Sequence, residues 1–329
     1  MNAQVLQTPQ LSTGRLLLLG ASSVILCVSF IMAVFAPFPL ALATILYGRV
    51  KGYLVGVAGL IISFLFALMV YRDLTLFGFY VGVFIFGLGI AEIVLRGVSP
   101  IKGMVTFGLS FILLVAGSFG FFMKSQNLTP SEFIIQQIEK SSDKIAEQKK
   151  AIEQSTDKEA VQVLQLLDRP DLLAKEMVDS FPSYFFMGVF IMLWFNMFLV
   201  LKSRRLLLSG NDYPHDERKL LNFKVPFGFV ILLAVGLVLA VWGNDLGIGS
   251  FSSLETVGMT IIKCLGIFYF FQGFGVLSDL LNFLGIMGFF RTLIVMIIIL
   301  MANYLIAVAG LFDNWFDFRK YFVKRKTED

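Results

Sequence analysis

The chain has 329 residues, 57% of them hydrophobic and 15% charged, and its formal net charge at pH 7 is +4. A chain this apolar has too few polar side chains to cover a water-soluble core, so its composition excludes an ordinary soluble domain and predicts a membrane protein. One histidine (His215) and two cysteines (Cys27 and Cys264) argue against a histidine-based metal site, a catalytic triad and a disulfide framework, and we expect no cofactor.

Apolar runs of about 20 residues, the length that crosses a bilayer as a helix, predict eight transmembrane helices. A ninth apolar segment at 39–48 is much shorter, since the eight residues from Leu40 to Tyr47 rise only about 12 Å as a helix, against a hydrocarbon core of about 30 Å. We therefore expect an all-α, polytopic helical membrane protein with 8–9 transmembrane segments and one polar helical insert. The long runs are 16–36, 53–71, 75–95, 103–123, 183–201, 225–243, 254–277 and 290–312.

The short segment belongs to the stretch PFPLALATILYG, with two prolines at its start and with Gly48 and Gly52 at and beyond its end. Proline disrupts a helix and glycine releases one, so we interpret the segment as a foreshortened helix. Because the short segment lies between full-length helices in the chain, we expect it to cross the membrane or to enter it as a re-entrant helix. We also expect it to line or cap a polar space inside the bundle.

Short loops rich in Arg and Lys stay in the cytoplasm, which gives a test of the crossing count. If the short segment crosses and the amino terminus is inside, the cytoplasmic gaps are 49–52, 96–102, 202–224 and 278–290. The same count of nine places the basic tail after Arg319 outside, against the rule. Either one of the last segments is re-entrant or an early segment is miscounted, and the sequence leaves both open.

The polar insert from Lys124 to Ser180 holds 8 Lys and Arg against 11 Asp and Glu, a balance with no signature for nucleic acid. We expect two or three surface helices there, one restarting at Pro170, on the outer face by the crossing count. The predicted organisation is an N-terminal bundle (1–123), the insert (124–181), a C-terminal bundle (182–320) and a basic tail (321–329).

Polar residues inside the predicted spans are the candidate ligand-binding residues, because burying them in hydrocarbon is costly. Glu92 can instead pair with Arg96 one turn later. Lys263, near the middle of its span, can snorkel, although its reach from there is poor, or it can meet a buried counter-ion or the anionic group of a ligand. Three amides can equally form hydrogen bonds between helices: Asn196, Gln272 and Asn303.

Glycines recur at intervals that let helices approach closely, at 52, 56 and 59, at 78 and 82, and at 87 and 89. The sequence has no phosphate-binding glycine loop followed by lysine, no HExxH helix and no GxSxG elbow, and we expect that the protein is not an enzyme. In the closing stretch GLFDNWFDFRK, the aromatic residues predict an interfacial anchor, and Asp313, Asp317 and Arg319 predict a tie between the helix end and a neighbouring loop. A docking site for another protein is the alternative.

Several motifs carry a family resemblance: YGRVKG after the short helix, FPSYFF, RRL at 204–206, FKVP at 223–226, FYFFQGFGV at 268–276 and GLFDNWFDFRK at 310–320. Together they resemble the YybS-like family of bacterial inner-membrane proteins, over about residues 15–320. That family is similar to the substrate-binding S components of energy-coupling-factor vitamin transporters. The resemblance implies a helical fold in the bacterial cytoplasmic membrane, with a pocket for a small molecule.

Two functions follow as hypotheses. The first is a solute-binding or transport protein, embedded in the lipid bilayer, whose pocket lies between the short helix and the spans that bear Glu92, Lys263 and Gln272. The alternative is a non-transporting scaffold, in which the insert 124–181 recruits a membrane protein partner.

Overall fold

The computed structural model describes residues 12–29, 32–140, 169–207, 213–243 and 254–323. Within these ranges all regular structure is helical, and no strand is present. A 3₁₀ turn (Ala33–Phe35) and a π-helical turn (Ala67–Tyr71) accompany the α-helices. The α-helices are α1 (Thr13–Val28), α2 (Pro37–Tyr47), α3 (Arg49–Phe66), α4 (Thr75–Leu95), α5 (Pro100–Gln126), α6 (Pro130–Lys140), α7 (Pro170–Leu207), α8 (Glu217–Leu221), α9 (Gly228–Trp242), α10 (Leu254–Phe283), α11 (Gly288–Phe316) and α12 (Arg319–Val323).

Five of these helices are long and apolar enough to cross a membrane: α3 with its π-helical extension, α4, α5, α7 and α10. Helix α11 bends by 91° between Ile299 and Met301, and counts as a sixth span if its two legs form one crossing. The apolar helices α1, α2 and α9 are shorter. The predicted all-α membrane class is confirmed, whereas the structure gives five spans, or up to six, where the sequence predicts 8–9.

The chain divides into two compact units, and three long helices contribute residues to both. Unit 1 comprises residues 1–109, 189–225 and 267–329, and unit 2 comprises residues 110–188 and 226–266.

The first predicted span, 16–36, is wrong as one helix, because α1 ends at Val28 and a 3₁₀ turn follows at Ala33–Phe35. The turn brings the Ala36 carbonyl to the buried Ser23 hydroxyl, which donates a hydrogen bond to it at 2.8 Å. The sequence hides this end, because apolar residues continue on both sides of Ser29, the C-cap residue of α1.

Helix α2 is the short helix that the sequence predicts, extended to Pro37 in its first turn, where proline is tolerated. Gly48 ends it with a φ of +87°, as expected for a glycine that releases a helix. Gly52 does not release the helix, since it lies inside α3, but its predicted role in close packing is confirmed, because a Cβ there would overlap Thr44 of α2. The residues from Pro39 to Ile45 are all buried, so α2 is a core helix packed by apolar contacts.

The predicted glycine contacts are confirmed at some positions and wrong at others. A Cβ at Gly56 or Gly59 would overlap Phe84 or Tyr80 of α4, and one at Gly89 would overlap Phe107 of α5. At 78 and 82 no neighbouring atom lies within 4 Å, so these two glycines face open space.

In unit 2, Phe133 of α6 packs edge-on against Phe119 and Phe122 of α5, with ring centroids 6.1 Å apart in both pairs. Helix α7 begins at Pro170, as predicted, and continues through Pro182 as one helix of 38 residues. The surface helices predicted within 141–168 lie outside the described residues.

Candidate functional site

The candidate site lies in unit 1, where α10 and α11 cross at two glycines. A Cβ at Gly273 would overlap the Ile306 carbonyl, and a Cβ at Gly310 would overlap the Tyr269 carbonyl. Only glycine allows the two backbones to approach this closely. The crossing therefore fixes the residues beside it, Gln272 on α10 and Asp313 on α11.

Gln272 is fully buried and joins three parts of the chain. Its side-chain oxygen accepts a hydrogen bond from the Val225 backbone N–H at 2.8 Å. Its side-chain nitrogen donates to Asp313 Oδ2 and to Asn314 Oδ1, both at 3.1 Å. This amide thus ties the segment before α9 to the end of α11.

Arg319, just beyond α11, completes the network. Its guanidinium donates to the backbone carbonyls of Leu221 at 2.8 Å, Phe223 at 3.4 Å and Gln272 at 2.9 Å. Its Nε lies 3.5 Å from Oδ2 of the fully buried Asp313. We name Gln272, Asp313, Asn314 and Arg319 the C-terminal clasp. It confirms the predicted tie between the helix end and a neighbouring loop.

Asp317 extends the clasp at the surface. It ends α11 in the left-handed conformation, with a φ of +47°. Its carboxylate binds Lys224 Nζ at 2.7 Å and Lys320 Nζ at 2.6 Å. The hydrogen bond from Lys224, followed by that from Lys320, lowers the pKa of Asp317 to about 2, and Asp317 in turn raises the pKa of Lys320.

An aromatic cavity of about 20 Å³ shares its wall with the clasped segment. Leu220 and Phe223 line it and lie next to Leu221 and Val225, the backbone partners of the clasp. Its volume suits a single water-sized group. The lining residues are Ile101, Met104, Val105, Phe190, Trp194, Leu220, Phe223, Phe268 and Phe271.

Trp194 is the centre of the aromatic wall. Its ring stacks parallel to Phe198 and Phe271, with centroids 5.5 Å and 5.1 Å away, and meets Phe274 edge-on at 4.9 Å. These contacts hold the indole in one orientation.

Besides Arg319 Nε, which has only its 3.5 Å ion pair with Asp313, three buried polar atoms at this site have no hydrogen-bond partner in the described part of the chain. They are the acceptor Asp313 Oδ1 and two donors, Asn314 Nδ2 and Trp194 Nε1. A buried polar atom left unpaired costs about 1–3 kcal/mol, so such atoms are uncommon without a water, ion or ligand.

Among the five residues predicted as ligand-binding, Glu92 and Asn196 are already engaged. Glu92 binds Arg49 in a bidentate ion pair, with oxygen–nitrogen distances of 2.6 and 3.2 Å, and binds Arg96 at 2.9 Å. The pair with Arg96 is the predicted one. Asn196 donates to the carbonyls of Val34 at 2.6 Å and Met192 at 2.7 Å, in keeping with the hydrogen-bond interpretation.

Of the other three candidates, Gln272 belongs to the clasp. Lys263 belongs to unit 2, where its Nζ lies 4.9 Å from the centre of the Tyr184 ring, a cation–π contact. Asn303 is exposed on α11. The cavity is lined by none of the five candidates and by no residue of α2, so it is not the polar space expected beside the short helix.

Sequence reasoning singled out the FQG and GLFDNWFDFR stretches, and these are the parts that meet in the clasp. It missed Arg49 as a partner of Glu92 and Trp194 as the centre of the aromatic wall. Helical spacing reveals Arg96, four residues from Glu92, but Arg49 lies 43 residues away in the chain. In the described ranges, no group of three His, Cys, Asp or Glu residues could hold a metal ion.

Comparison with known proteins gives no match among curated proteins or solved structures. A family model with the description "Predicted membrane protein (DUF2232)" matches residues 16–314, nearly the whole chain. The chain therefore belongs to this family of predicted membrane proteins, and its long apolar helices agree with that description.

Proposed function

We propose that the protein binds a small-molecule solute in a bacterial cytoplasmic membrane, in a transport-related role and without catalysing a reaction. The proposal rests on the aromatic cavity lined by Trp194, whose buried indole N–H has no hydrogen-bond partner in the described residues, and on the unpaired buried polar atoms of the clasp beside it. A helix bundle that serves only as an anchor has no use for such atoms, whereas a binding site uses them to hold a ligand.

The shape of α11 supports a transport-related role. Both ends of α11 contact the C-terminal half of α10, since Arg291 donates to Asn282 and Ser278, while Asp313 accepts from Gln272 and Arg319, just beyond α11, donates to the Gln272 carbonyl. Gln272 and Asn282 are about 15 Å apart by helical rise, half the hydrocarbon thickness. We infer that α11 is re-entrant. Broken helices of this kind form the binding sites of many transporters.

The cavity in this structure is the closed form of the proposed site. Leu220 and Phe223 form one wall, and the clasp holds their segment in place through the backbone of Leu221, Phe223 and Val225. Release of these hydrogen bonds moves both side chains and enlarges the cavity. The resemblance to the YybS-like family, and through it to vitamin-binding S components, favours a ligand of metabolite size.

Thermal unfolding of the detergent-purified full chain, measured against a panel of vitamins and other metabolites, tests the proposal. We expect at least one compound to raise the melting temperature of the wild type, and Trp194→Phe to reduce that rise because the indole N–H is lost while the ring stays. Trp242→Phe is the matched control, since Trp242 lies on α9 and is 55% exposed. If no compound stabilises the wild type, or if Trp194→Phe responds as Trp242→Phe does, the proposed site is wrong.

A second candidate function is recruitment of a partner by residues 124–181. The contacts of Phe133 with Phe119 and Phe122 favour it, because they fix α6 on α5 as a rigid platform. Deletion of 141–168 separates the two proposals: a scaffold loses its co-purifying partner, whereas a solute-binding protein keeps its thermal response to ligand.

A further inference from the structure

One end of unit 1 carries a dense basic surface around α1 to α5. Tyr47, at the end of α2, donates to the Ser12 carbonyl beside the start of α1, and Glu92, near the end of α4, binds Arg49 at the start of α3. Helix ends of all these elements therefore meet at one end of the bundle. They expose five cations: Arg15, Arg49, Lys51, Arg96 and Lys102.

The described residues of α1 to α5 offer a single carboxylate at this end, that of Glu92, which lies between two of the cations. It accepts from Arg49 Nε at 2.6 Å, from Arg96 Nε at 2.9 Å and from the Tyr53 hydroxyl at 3.1 Å. The two guanidiniums are thus held side by side on one anion. Their combined charge with Glu92 stays positive.

Both arginines keep donors for another anion. Arg49 uses Nε and Nη2 on Glu92, which leaves Nη1, and Arg96 uses only Nε, which leaves both Nη atoms. The Arg49 and Arg96 side chains are 51% and 70% exposed. Guanidinium groups fixed in this way match the geometry of phosphate oxygens.

We propose that Arg49 and Arg96 bind the phosphodiester group of an anionic phospholipid. The position of the pair favours a lipid over a free anion. Arg49 begins one apolar span and Arg96 directly follows another, which places both at the depth of the lipid headgroups. Glu92 is a positioning residue, and the neighbouring Lys51 and Lys102 add the long-range attraction that favours a lipid with net negative charge.

Thermal unfolding of the purified full chain in detergent tests the site, with palmitoyl-oleoyl phosphatidylglycerol, the corresponding phosphatidylcholine or inorganic phosphate added at equal concentration. We expect phosphatidylglycerol to raise the melting temperature more than the other two. The double variant Arg49→Gln, Arg96→Gln is expected to lose at least half of that extra rise. The control Arg72→Gln, at the opposite end of the same two spans, is expected to keep it.

An equal response of the double variant and the wild type to phosphatidylglycerol would overturn the proposal. An equal rise with inorganic phosphate would overturn the lipid as occupant. If the double variant does not fold, Arg96→Gln alone serves, since the bidentate pair of Arg49 and Glu92 remains. The screen against vitamins and other metabolites does not involve this arginine pair. Neither outcome of the lipid test therefore supports or contradicts the proposed solute binding.

Discussion

Gln272 shows how one buried amide can hold three segments. Replacement by Leu would leave the Val225 N–H without its acceptor, and Asp313 and Asn314 without their donor. We expect Gln272→Leu to destabilise the protein by about 2–4 kcal/mol, since each buried group left unpaired costs about 1–3 kcal/mol. Chemical unfolding in detergent measures the change.

Asn303→Leu is the control for this prediction, because Asn303 is an exposed amide on the adjacent helix. Its replacement by an apolar side chain should change stability by less than about 0.5 kcal/mol, or increase it in lipid. Equal destabilisation by Gln272→Leu and Asn303→Leu would show that the hydrogen bonds of the clasp do not stabilise the fold.

Asp317 predicts a pH dependence. Lys224 and Lys320 lower its pKa to about 2 in the folded protein, below the unfolded value of about 4. The ion pairs therefore stabilise the fold fully above pH of about 4, and this contribution is lost as the pH falls from about 4 to 2. In Asp317→Asn the contribution is absent, while the left-handed backbone is kept, because Asn tolerates positive φ.

Melting temperatures of wild type and Asp317→Asn, measured from pH 6 to pH 3, test this prediction. The wild type should be more stable at pH 6, and the difference should shrink as the pH falls. A difference that is constant over this range would mean that Asp317 keeps an ordinary pKa.

Residue pairs were predictable from the sequence only where they are local. The spacing of Glu92 and Arg96 on one helix indicates their ion pair, and the charges after Asp313 indicate a tie to a loop. Arg49 and the three carbonyls bound by Arg319 come from distant parts of the chain, and no helical period relates them to their partners.

At the scale of helices, glycine spacing alone does not identify a contact. Gly78 and Gly82 have the expected four-residue interval but face open space, whereas the crossing glycines, Gly273 and Gly310, are on different helices. A packing glycine is defined by what lies opposite, and the sequence of one helix does not contain that information. The short helix α2 was predictable in length, because prolines and Gly48 bound it locally.

The crossing of α10 and α11 gives the third prediction. Gly273→Ala places a methyl group against the Ile306 carbonyl, and the two backbones must separate. We expect a loss of at least about 2 kcal/mol, since overpacking of a close contact costs about 1–3 kcal/mol and the clasp is disturbed with it. Unfolding in detergent measures the loss.

Gly82→Ala is the matched control, an equal change at a helical glycine with no atom within 4 Å. It should be neutral or stabilise α4 by up to about 1 kcal/mol, because Ala favours a helix more than Gly does. A similar loss in both variants would contradict a specific role for the crossing.

At the scale of the whole chain, the contacts of unit 1 bear on the count of crossings. Tyr213 donates to the Val98 carbonyl at 2.7 Å, and Lys224 binds Asp317, so the 96–99 loop, the 213–225 segment and the end of α11 lie on one side. If the three shorter apolar helices cross together with the five long ones, as the sequence predicts, eight crossings return the chain to the side of its amino terminus before α11. A re-entrant α11 then leaves Arg319 and Lys320 on the amino-terminal side, which is the cytoplasmic side if positive charge sets the orientation.

This topology predicts the accessibility of single cysteines in a chain whose Cys27 and Cys264 are replaced by Ala. Lys51→Cys and Lys320→Cys should react with a membrane-impermeant maleimide only in inside-out vesicles, and Arg72→Cys only in right-side-out ones. The three positions are exposed, so burial does not limit their labelling. If α11 instead crosses as a ninth span, Lys320→Cys will label together with Arg72→Cys. The Lys224 and Asp317 ion pair could not then form, because its two partners would lie on opposite faces of the membrane.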